Sequence, residues 1–388
     1  MTGGWSVRVG GGLLAALLLG EPTHAQVSCD DPDNLCTGDP CVIPSLEVVP
    51  SCTVDFRPRQ LVIAGTLRVP ADGFLSLTAA TIVLQGRLLH SDRFSSATAV
   101  LTADGNIDVQ GSIAFQGSGD LVLDAGGSID VAAAVTGSSG PGTRFITVEA
   151  DGAVTIGRTV RNEGPVAVRG ATGVTISKPI ITPLGYGIEV SSSAGAVLVN
   201  DILIANGPTG GVITIDGQGD VVINDRVLAR GRRFGGGTIS VASAAGNVEV
   251  SADLSARGGG GTVTVTAPGS VSLGDRLDVF RAGTLVVQGG SVTASAGSSA
   301  RADGTVGCAG ALRFEATAGD LTLSGRYSAR AREALTPPCG IIEGTATGNV
   351  VADGTFLAAP FGCIAFSAGG TVDTSGGTFD TAVVADCP

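Results

Sequence analysis

The stretch from Gly211 to Gly261 repeats itself, and this repeat constrains the fold more than any other feature of the chain. It reads GVITIDGQGDVVINDRVLARGRRFGG and then GTISVASAAGNVEVSADLSARGGGG. Each half contains three short runs of alternating apolar and polar residues, separated by Gly, Asn or Asp, and this alternation is typical of β-strands with one buried face. The two halves align Ile213 and Ile215 with Ile239 and Val241, Val221 and Ile223 with Val248 and Val250, and Leu228-Ala229-Arg230 with Ser255-Ala256-Arg257.

The same rhythm continues through most of the 388 residues, in steps of about 20 to 30 residues. A unit of three short strands cannot bury its apolar face alone, so successive units must coil and stack on one another. Propeller blades take about 40 residues, leucine-rich repeats need an L-x-x-L-x-L frame, and neither fits. The pattern predicts an all-β chain with one parallel β-helix of about 14 coils over residues 54–388. The first strands of these coils begin at Val54, Leu75, Leu101, Leu121, Ile146, Val166, Ile188, Ile213, Ile239, Val263, Leu285, Leu312, Ile342 and Ile364.

One turn within several coils is very tight and often contains Asn, as at Asn200 and Asn224. Asn and Gly accept the left-handed backbone conformation that such a turn requires. Asn side chains that stack from coil to coil also form hydrogen bonds with one another. The pattern favours a structural ladder at Asn200 and Asn224, and a ligand site made of Asn and Asp is the alternative.

The repeat geometry and the Asn turn resemble those of right-handed parallel β-helix proteins. This fold is shared by pectate-lyase-like enzymes and by secreted haemagglutinin and adhesin passengers. The resemblance covers the chain from Val54 onward and identifies no subfamily. It implies a right-handed coil and, for the enzymes, acidic residues and an Arg or Lys base on one exposed strand face.

The first 25 residues have the parts of a secretory signal peptide: one Arg, an apolar run of about ten residues and the ending Thr-His-Ala. We place the cleavage site after Ala25. No later stretch approaches the roughly 20 apolar residues that span a bilayer. The expected mature chain has no transmembrane span and is secreted or held at the cell surface after export of the bacterial type.

The eight cysteines fall into two groups of four near the ends of the chain. An even number behind a signal peptide predicts disulfides, and a zinc site is a weak rival because no C-x-x-C spacing occurs. We expect residues 26–53 to form a Cys-rich N-terminal cap, whose acidic cluster Asp30, Asp31, Asp33 and Asp39 lacks the Gly and Glu of a calcium-binding EF-hand loop. Spacing favours Cys308–Cys339 and Cys363–Cys387, although three pairings are possible within each group. The two groups are Cys29, Cys36, Cys41 and Cys52, and Cys308, Cys339, Cys363 and Cys387.

Five arginines follow the third strand of successive repeats, each next to a small or aromatic residue. Stacked in register, they would form a ladder along one edge, and their mutual repulsion would require interleaved carboxylates or a bridging anion. One hypothesis is that this edge binds an acidic polysaccharide or cell-surface matrix through arginine forks. The alternative is a solvated edge neutralised by Asp253, Asp278, Asp303 and Glu333. The arginines are Arg230, Arg257, Arg281, Arg301 and Arg330, with Arg232, Arg233 and Arg332 close by.

The net charge of -12 disfavours nucleic acid as a partner. We expect no cofactor, no metal and no catalytic set. His90 is the one histidine left after signal cleavage and is predicted to lie on a solvated loop. The outward positions Thr214, Ser240, Thr264, Val286 and Arg313 contain no carboxylate cluster, and Asp216 and Glu315 are isolated candidates. These features favour an exported structural or adhesive surface protein, with a β-helix polysaccharide lyase or glycoside hydrolase as the alternative.

Overall fold

The computed structural model describes residues 29, 31–48, 50–138, 144–231, 235–304, 309–331, 340–360, 362–384 and 387. These residues form three parallel β-sheets of 15 strands each. The chain passes from sheet A to sheet B to sheet C and back to sheet A, and each strand pairs with its counterparts in the preceding and following coils. This confirms the prediction of an all-β parallel solenoid of about 14 coils. The described residues contain one short 3-10 helix, Pro32–Asn34, and no helix long and apolar enough to cross a membrane.

Sheet A contains the strands Cys41–Ile43, Gln60–Ile63, Thr81–Leu84, Ile107–Val109, Ile129–Val131, Ala153–Ile156, Gly173–Ile176, Ala196–Val199, Val221–Ile223, Val248–Val250, Ser270–Leu273, Ser291–Ala294, Leu321–Leu323, Val350–Ala352 and Val372–Asp373. Sheet B contains Leu46–Glu47, Thr66–Arg68, Arg87–His90, Ile113–Gln116, Val135–Ser138, Val160–Asn162, Ile180–Thr182, Leu203–Ala205, Val227–Leu228, Leu254–Ser255, Arg276–Asp278, Ser299–Arg301, Arg326–Ser328, Thr355–Leu357 and Thr378–Phe379. Sheet C contains Ser51–Asp55, Gly73–Ala79, Ala97–Ala103, Gly119–Ala125, Arg144–Ala150, Val166–Gly170, Ile188–Ser192, Val212–Gly217, Thr238–Ser243, Thr262–Thr266, Thr284–Gly289, Ala311–Ala316, Ile341–Ala346, Cys363–Ala368 and Val383–Val384.

The register of the strands matches the repeat seen in the sequence. Ile213 pairs with Ile239 in sheet C, Val221 with Val248 in sheet A, and Leu228 with Ser255 in sheet B. Inward residues are buried and outward residues are more exposed along most strands, as in Val212–Gly217 and Thr238–Ser243. The buried Ile, Val, Leu and Ala side chains therefore form columns that run along the interior of the solenoid.

The turns between strands carry two sets of side-chain ladders. The Asn224 amide donates to Asn200 Oδ1 at 2.8 Å between sheets A and B. A second set, which the sequence analysis missed, lies between sheets C and A, where Asn247 Oδ1 accepts from the backbone N–H of Ser270 at 2.8 Å and Asn349 Oδ1 accepts from that of Thr371 at 3.0 Å. These bonds tie the three turns to the corresponding turns of the neighbouring coils.

Disulfides lie near both ends of the solenoid. Cys29 bonds to Cys52 and Cys36 bonds to Cys41, while Cys363 bonds to Cys387, one of the two pairs that the spacing favoured. The other favoured pair, Cys308 with Cys339, lies outside the described residues, as does the signal peptide at residues 1–25. Strands Cys41–Ile43 and Leu46–Glu47 fall within residues 26–53 and pair with the next coil, so the Cys-rich segment contributes to the first coil.

The acidic cluster of the Cys-rich segment bonds to the chain's own groups. The Asp33 carboxylate lies 2.7 Å from the Arg59 guanidinium, and Asp39 Oδ1 accepts from the backbone N–H of Gln60 at 3.1 Å. Asp30 lies outside the described residues. Within the described part of the chain, no three His, Cys, Asp or Glu side chains are grouped so that they could hold a metal ion.

Stacked glycines between sheets A and B allow the coils to approach closely. A Cβ atom on Gly86 would lie 1.8 Å from the carbonyl oxygen of Gly65, and one on Gly111 would lie 1.5 Å from the carbonyl oxygen of Gly86. Both contacts involve backbone of the preceding coil, which cannot move without shifting a whole strand. Gly259 is different, because a Cβ atom there meets nothing within 4 Å.

We predict that Gly86→Ala destabilises the protein by about 1–3 kcal/mol, because the added methyl group forces neighbouring coils apart. Gly259→Ala is the matched control and should change stability by less than about 0.5 kcal/mol. Thermal unfolding followed by circular dichroism measures both. Equal midpoints for the two variants would contradict the close packing of this turn.

Candidate functional site

The strand register separates the five arginines that the sequence placed in one column. Arg230 pairs with Arg257, since the N–H of Gly231 donates to the Arg257 carbonyl at 2.8 Å. Further along, Arg330 pairs with Asp303, since the N–H of Gly304 donates to the Arg330 carbonyl at 2.9 Å. Arg301 pairs with Asp278 instead. The prediction that all five arginines stack in one ladder is therefore wrong.

The reason lies in the two-residue period of a strand. Buried Ala256 corresponds to buried Ala302 and not to Ala300. Aligning the Ala-Arg pairs of the sequence therefore displaces Arg301 by two residues. A displacement of two residues keeps the side chain on the same face of the sheet, so the error does not show in the hydrophobic pattern. Arg281 follows Phe280 directly, and the φ of Arg281 is 74°. Arg230, Arg257 and Arg330 thus share one column, in which Phe280 and Asp303 separate Arg257 from Arg330, while Arg281 and Arg301 lie outside it.

Carboxylates neutralise three of the five arginines. The Arg257 guanidinium binds the buried carboxylate of Asp278, with Nε 2.8 Å from Oδ2. Arg301 lies 2.8 Å from Asp303, and Arg330 lies 2.8 Å from Asp380. Asp253 binds Arg276 at 3.1 Å. Glu333, Arg232, Arg233 and Arg332 lie outside the described residues.

Arg230 and Arg281 make no ion pair with a carboxylate of the described residues. Arg230 donates from Nε to the hydroxyl of Ser255 at 3.2 Å. Burial, followed by repulsion from Arg257 and Arg276, lowers the pKa of Arg230 below its ordinary value. Positive charge therefore accumulates along this edge beyond what its aspartates offset.

Four arginines surround Ser299 on the outer surface of sheet B. They line a cleft of about 350 Å³ together with two aspartates, and a second cleft of about 430 Å³ adjoins it. Arg326, on the strand after Ser299, makes no ion pair with any described carboxylate and was not singled out from the sequence. We call this surface the arginine face and define it by Arg276, Phe280, Ser299, Arg301, Arg326 and Arg330.

Phe280 supplies an apolar group within the arginine face. Its ring lies beneath the Arg301 guanidinium, with the guanidinium carbon 4.5 Å from the ring centroid. The ring also borders the larger cleft. The stacking holds Arg301 in place while Asp303 binds its Nε, so the cation is oriented from two sides.

A second surface, on sheet C, was missed by the sequence analysis. Asp124 lies beside Glu149 on the next strand, and Glu149 lies beside Arg169. Arg169 binds Glu189 through two bonds of 2.7 and 2.8 Å and approaches Glu149 to 3.5 Å. Asp216 follows two coils beyond Arg169 in the same column. We call Asp124, Glu149, Glu189 and Asp216 the acidic row.

The acidic row shows the electrostatic effects of crowding. Burial raises the pKa of Asp124, with Glu149 and Asp151 adding repulsion, and burial raises the pKa of Asp216, with Glu189 adding repulsion. The hydrogen bonds from Arg169 hold the pKa of Glu189 below its ordinary value. The sequence suggested that Asp216 is isolated. In the structure it is part of a charged row.

The outward positions suggested by the sequence, from Thr214 onward, lie on the coils that follow Glu189. Thr214 pairs with Glu189, so following the register one coil upstream reaches the first carboxylate. Glu315, the other isolated candidate, lies on strand Ala311–Ala316 and is exposed. Its neighbour Arg313 binds Glu343 at 3.1 Å.

His90 is not on a solvated loop, so that prediction is wrong. It ends strand Arg87–His90 and is only 2% exposed. Its Nδ1 lies 2.9 Å from the Val69 carbonyl oxygen and its Nε2 lies 3.2 Å from the Ser95 hydroxyl. Both ring nitrogens are used within the core, so His90 serves the packing of this coil.

Comparisons with protein-family models, with curated proteins and with solved structures give no match to this chain.

We predict that Arg257→Gln lowers stability by about 3 kcal/mol, because it leaves the buried Asp278 carboxylate without its closest cation. The double variant Arg257→Gln with Asp278→Asn should recover part of that loss. Thermal unfolding of the single and double variants measures the coupling. Strictly additive effects would show that the ion pair does not stabilise this edge.

Proposed function

We propose that this chain is an exported β-solenoid that binds an acidic polysaccharide through the arginine face. The single observation that carries the proposal is the cleft around Ser299, which four arginines line and where Arg326 has no ion-pair partner among the described carboxylates. Guanidinium groups bind carboxylate and sulfate oxygens through paired hydrogen bonds. A polysaccharide with carboxylate or sulfate groups at regular intervals matches a surface on which arginines recur along the solenoid.

The internal ion pairs determine which arginines are free to bind. Arg301 and Arg330 each hold one aspartate and keep N–H groups for a further acceptor, because a guanidinium has five donors. Arg326 and Arg281 have no described carboxylate partner and offer all their donors. Phe280 adds an aromatic face on which a sugar ring can pack.

The disulfides near both ends support the proposal of export. Disulfides form and persist in oxidising compartments, and here they tie the first coil and the Cys363 strand to flanking segments. Together with the signal peptide predicted for residues 1–25, they support a protein that acts as a structural or adhesive component outside the cell or at its surface.

A second candidate is an enzyme, and the acidic row is the observation that favours it. The pectate-lyase-like resemblance leads us to expect acidic residues and a basic residue on one exposed strand face. Sheet C places Glu149 and Glu189 on either side of Arg169. This candidate is a polysaccharide lyase or glycoside hydrolase.

The enzyme candidate predicts that the mature chain releases new reducing ends from an acidic polysaccharide and that Glu189→Gln slows this release by at least about 100-fold. Lyase action would also form an unsaturated product that absorbs in the ultraviolet. Glu315→Gln, on an exposed strand of the same sheet, is the control. Intact polymer after prolonged incubation would contradict the enzyme candidate and leave the binding proposal standing.

For the binding proposal, we predict that Arg276, Arg326 and Arg330, all replaced by Gln, weaken binding to an immobilised acidic polysaccharide by about tenfold. Three charges worth about 0.5 kcal/mol each give this factor. Binding of the unaltered chain should weaken as salt rises, because salt screens exposed charges. Surface plasmon resonance at two salt concentrations measures both effects.

The matched control replaces Arg87, Arg158 and Arg161 by Gln. These arginines lie on or beside earlier strands of sheet B, and their replacement changes the net charge by the same amount. Binding that falls equally in both triple variants would reflect net charge alone. Binding that survives the first triple variant would overturn the proposal.

A further inference from the structure

An apolar cleft lies on the outer surface of sheet C, beside the acidic row. It has a volume of about 380 Å³ and is bounded by Phe145 at one side and Val212 at the other. Both side chains are about half exposed, at 48% and 50%. Pro165 and Gly187 occupy the same column between them and form the floor. We call this surface the sheet C cleft.

The register explains why the cleft exists. Outward positions of this sheet are mostly Thr and Ser in later coils, as at Thr238 and Thr262 in the column of Val212. In the cleft the same column holds a large aromatic residue, two residues with small side chains and a valine. Phe145 and Val212 therefore make a small apolar patch beside a column of threonines.

The charges around the cleft indicate what kind of partner fits it. Glu189 and Arg169 line the cleft itself, and Asp124, Glu149 and Asp216 continue the row on neighbouring strands. Glu149 and Glu189 share Arg169, while Asp124 and Asp216 make no ion pair with a described cation, so a partner that brings positive charge would offset the excess of carboxylates. It must also bring an apolar group to cover Phe145.

The arginine face of the same chain has both properties. Its four arginines surround a cleft with two aspartates, and Phe280 lies among them. Both surfaces are built on parallel strands about 4.8 Å apart, so the charged groups on each surface lie at multiples of that spacing. The two surfaces lie on different sheets and on different coils. One chain can therefore present its arginine face to a second copy while its sheet C cleft stays open.

We propose that the sheet C cleft is a docking site for the arginine face of a second copy of this chain. The contact is heterologous, because each copy contributes a different surface. Repeated without closure, it yields an open row of solenoids. An acidic polysaccharide competes with the acidic row for the same arginines, so it should dissociate the associated solenoids.

Sedimentation velocity of the mature chain from about 1 µM to about 1 mM tests the proposal. Unaltered protein should associate with rising concentration, less so at high salt. Phe145→Ser should raise the dissociation constant at least about tenfold. Phe94→Ser is the matched control, since Phe94 is 87% exposed and lies away from the cleft. Circular dichroism confirms that each variant is folded.

A mixing experiment tests the heterologous geometry. The Phe145→Ser variant lacks the cleft, and the double variant Arg276→Glu, Arg326→Glu lacks the arginine face. Neither variant should associate alone. A mixture should form heterodimers, because each variant keeps the surface that the other needs. Rescue in the mixture supports the proposal, and a mixture that stays monomeric overturns it.

Three other outcomes overturn the proposal: a monomer at every concentration, association that survives Phe145→Ser, and equal loss in Phe94→Ser. Failure here is distinct from failure of the polysaccharide proposal, because Phe145→Ser leaves the arginine face unaltered. That variant should still bind immobilised polysaccharide with the affinity of the unaltered chain.

Discussion

The in-register stacking of parallel strands is the constraint on which the rest of this structure depends. Each residue of a strand lies about 4.8 Å from its equivalents in the coils before and after it. Apolar residues benefit from this arrangement, since Ile213, Ile239 and Val263 form one buried column. The same arrangement brings like charges together wherever a charged residue recurs in successive repeats.

The solenoid handles its stacked charges in two ways. Some charges meet an opposite charge in their own or a neighbouring column. Arg169 binds Glu149 of its own column and Glu189 of the column beside it, and Arg257 reaches to the Asp278 carboxylate on the next coil. Other columns leave like charges adjacent. Asp108 pairs with Asp130 in sheet A, and burial together with repulsion from Asp108 raises the pKa of Asp130. Interleaving therefore decides which charges remain available to a partner.

The two candidate surfaces follow from this distribution. On the arginine face, Arg326 has no ion-pair partner among the described carboxylates, and Arg301 and Arg330 keep donors beyond those that bind aspartates. The acidic row has more carboxylates than Arg169 can neutralise. Each also has an aromatic residue at its edge, Phe280 in one case and Phe145 in the other. A polymer with acidic groups and a second copy of the chain are both expected to bind the arginine face, so the two proposed interactions are mutually exclusive at that surface.

Much of the fold was predictable from the sequence because its signal is local and repeated. The alternation of apolar residues, the Gly and Asn turns and the placement of cysteines near the ends led to a parallel solenoid of about 14 coils with disulfides near both ends. The exact register was less accessible. A shift of two residues keeps every side chain on its own face of the sheet, so hydrophobic pattern alone cannot distinguish Arg301 beside Asp278 from Arg301 beside Phe280.

The sequence by itself determined the strand period, the coil length and the apolar interior, because these depend on contacts that repeat identically from coil to coil. Only the tertiary structure decided which charges meet. It grouped Arg276, Arg301, Arg326 and Arg330 around Ser299, joined Asp124, Glu149, Glu189 and Asp216 in one row, and buried His90. Loops of unequal length separate these residues along the chain, and so their proximity depends on the pairing of whole strands.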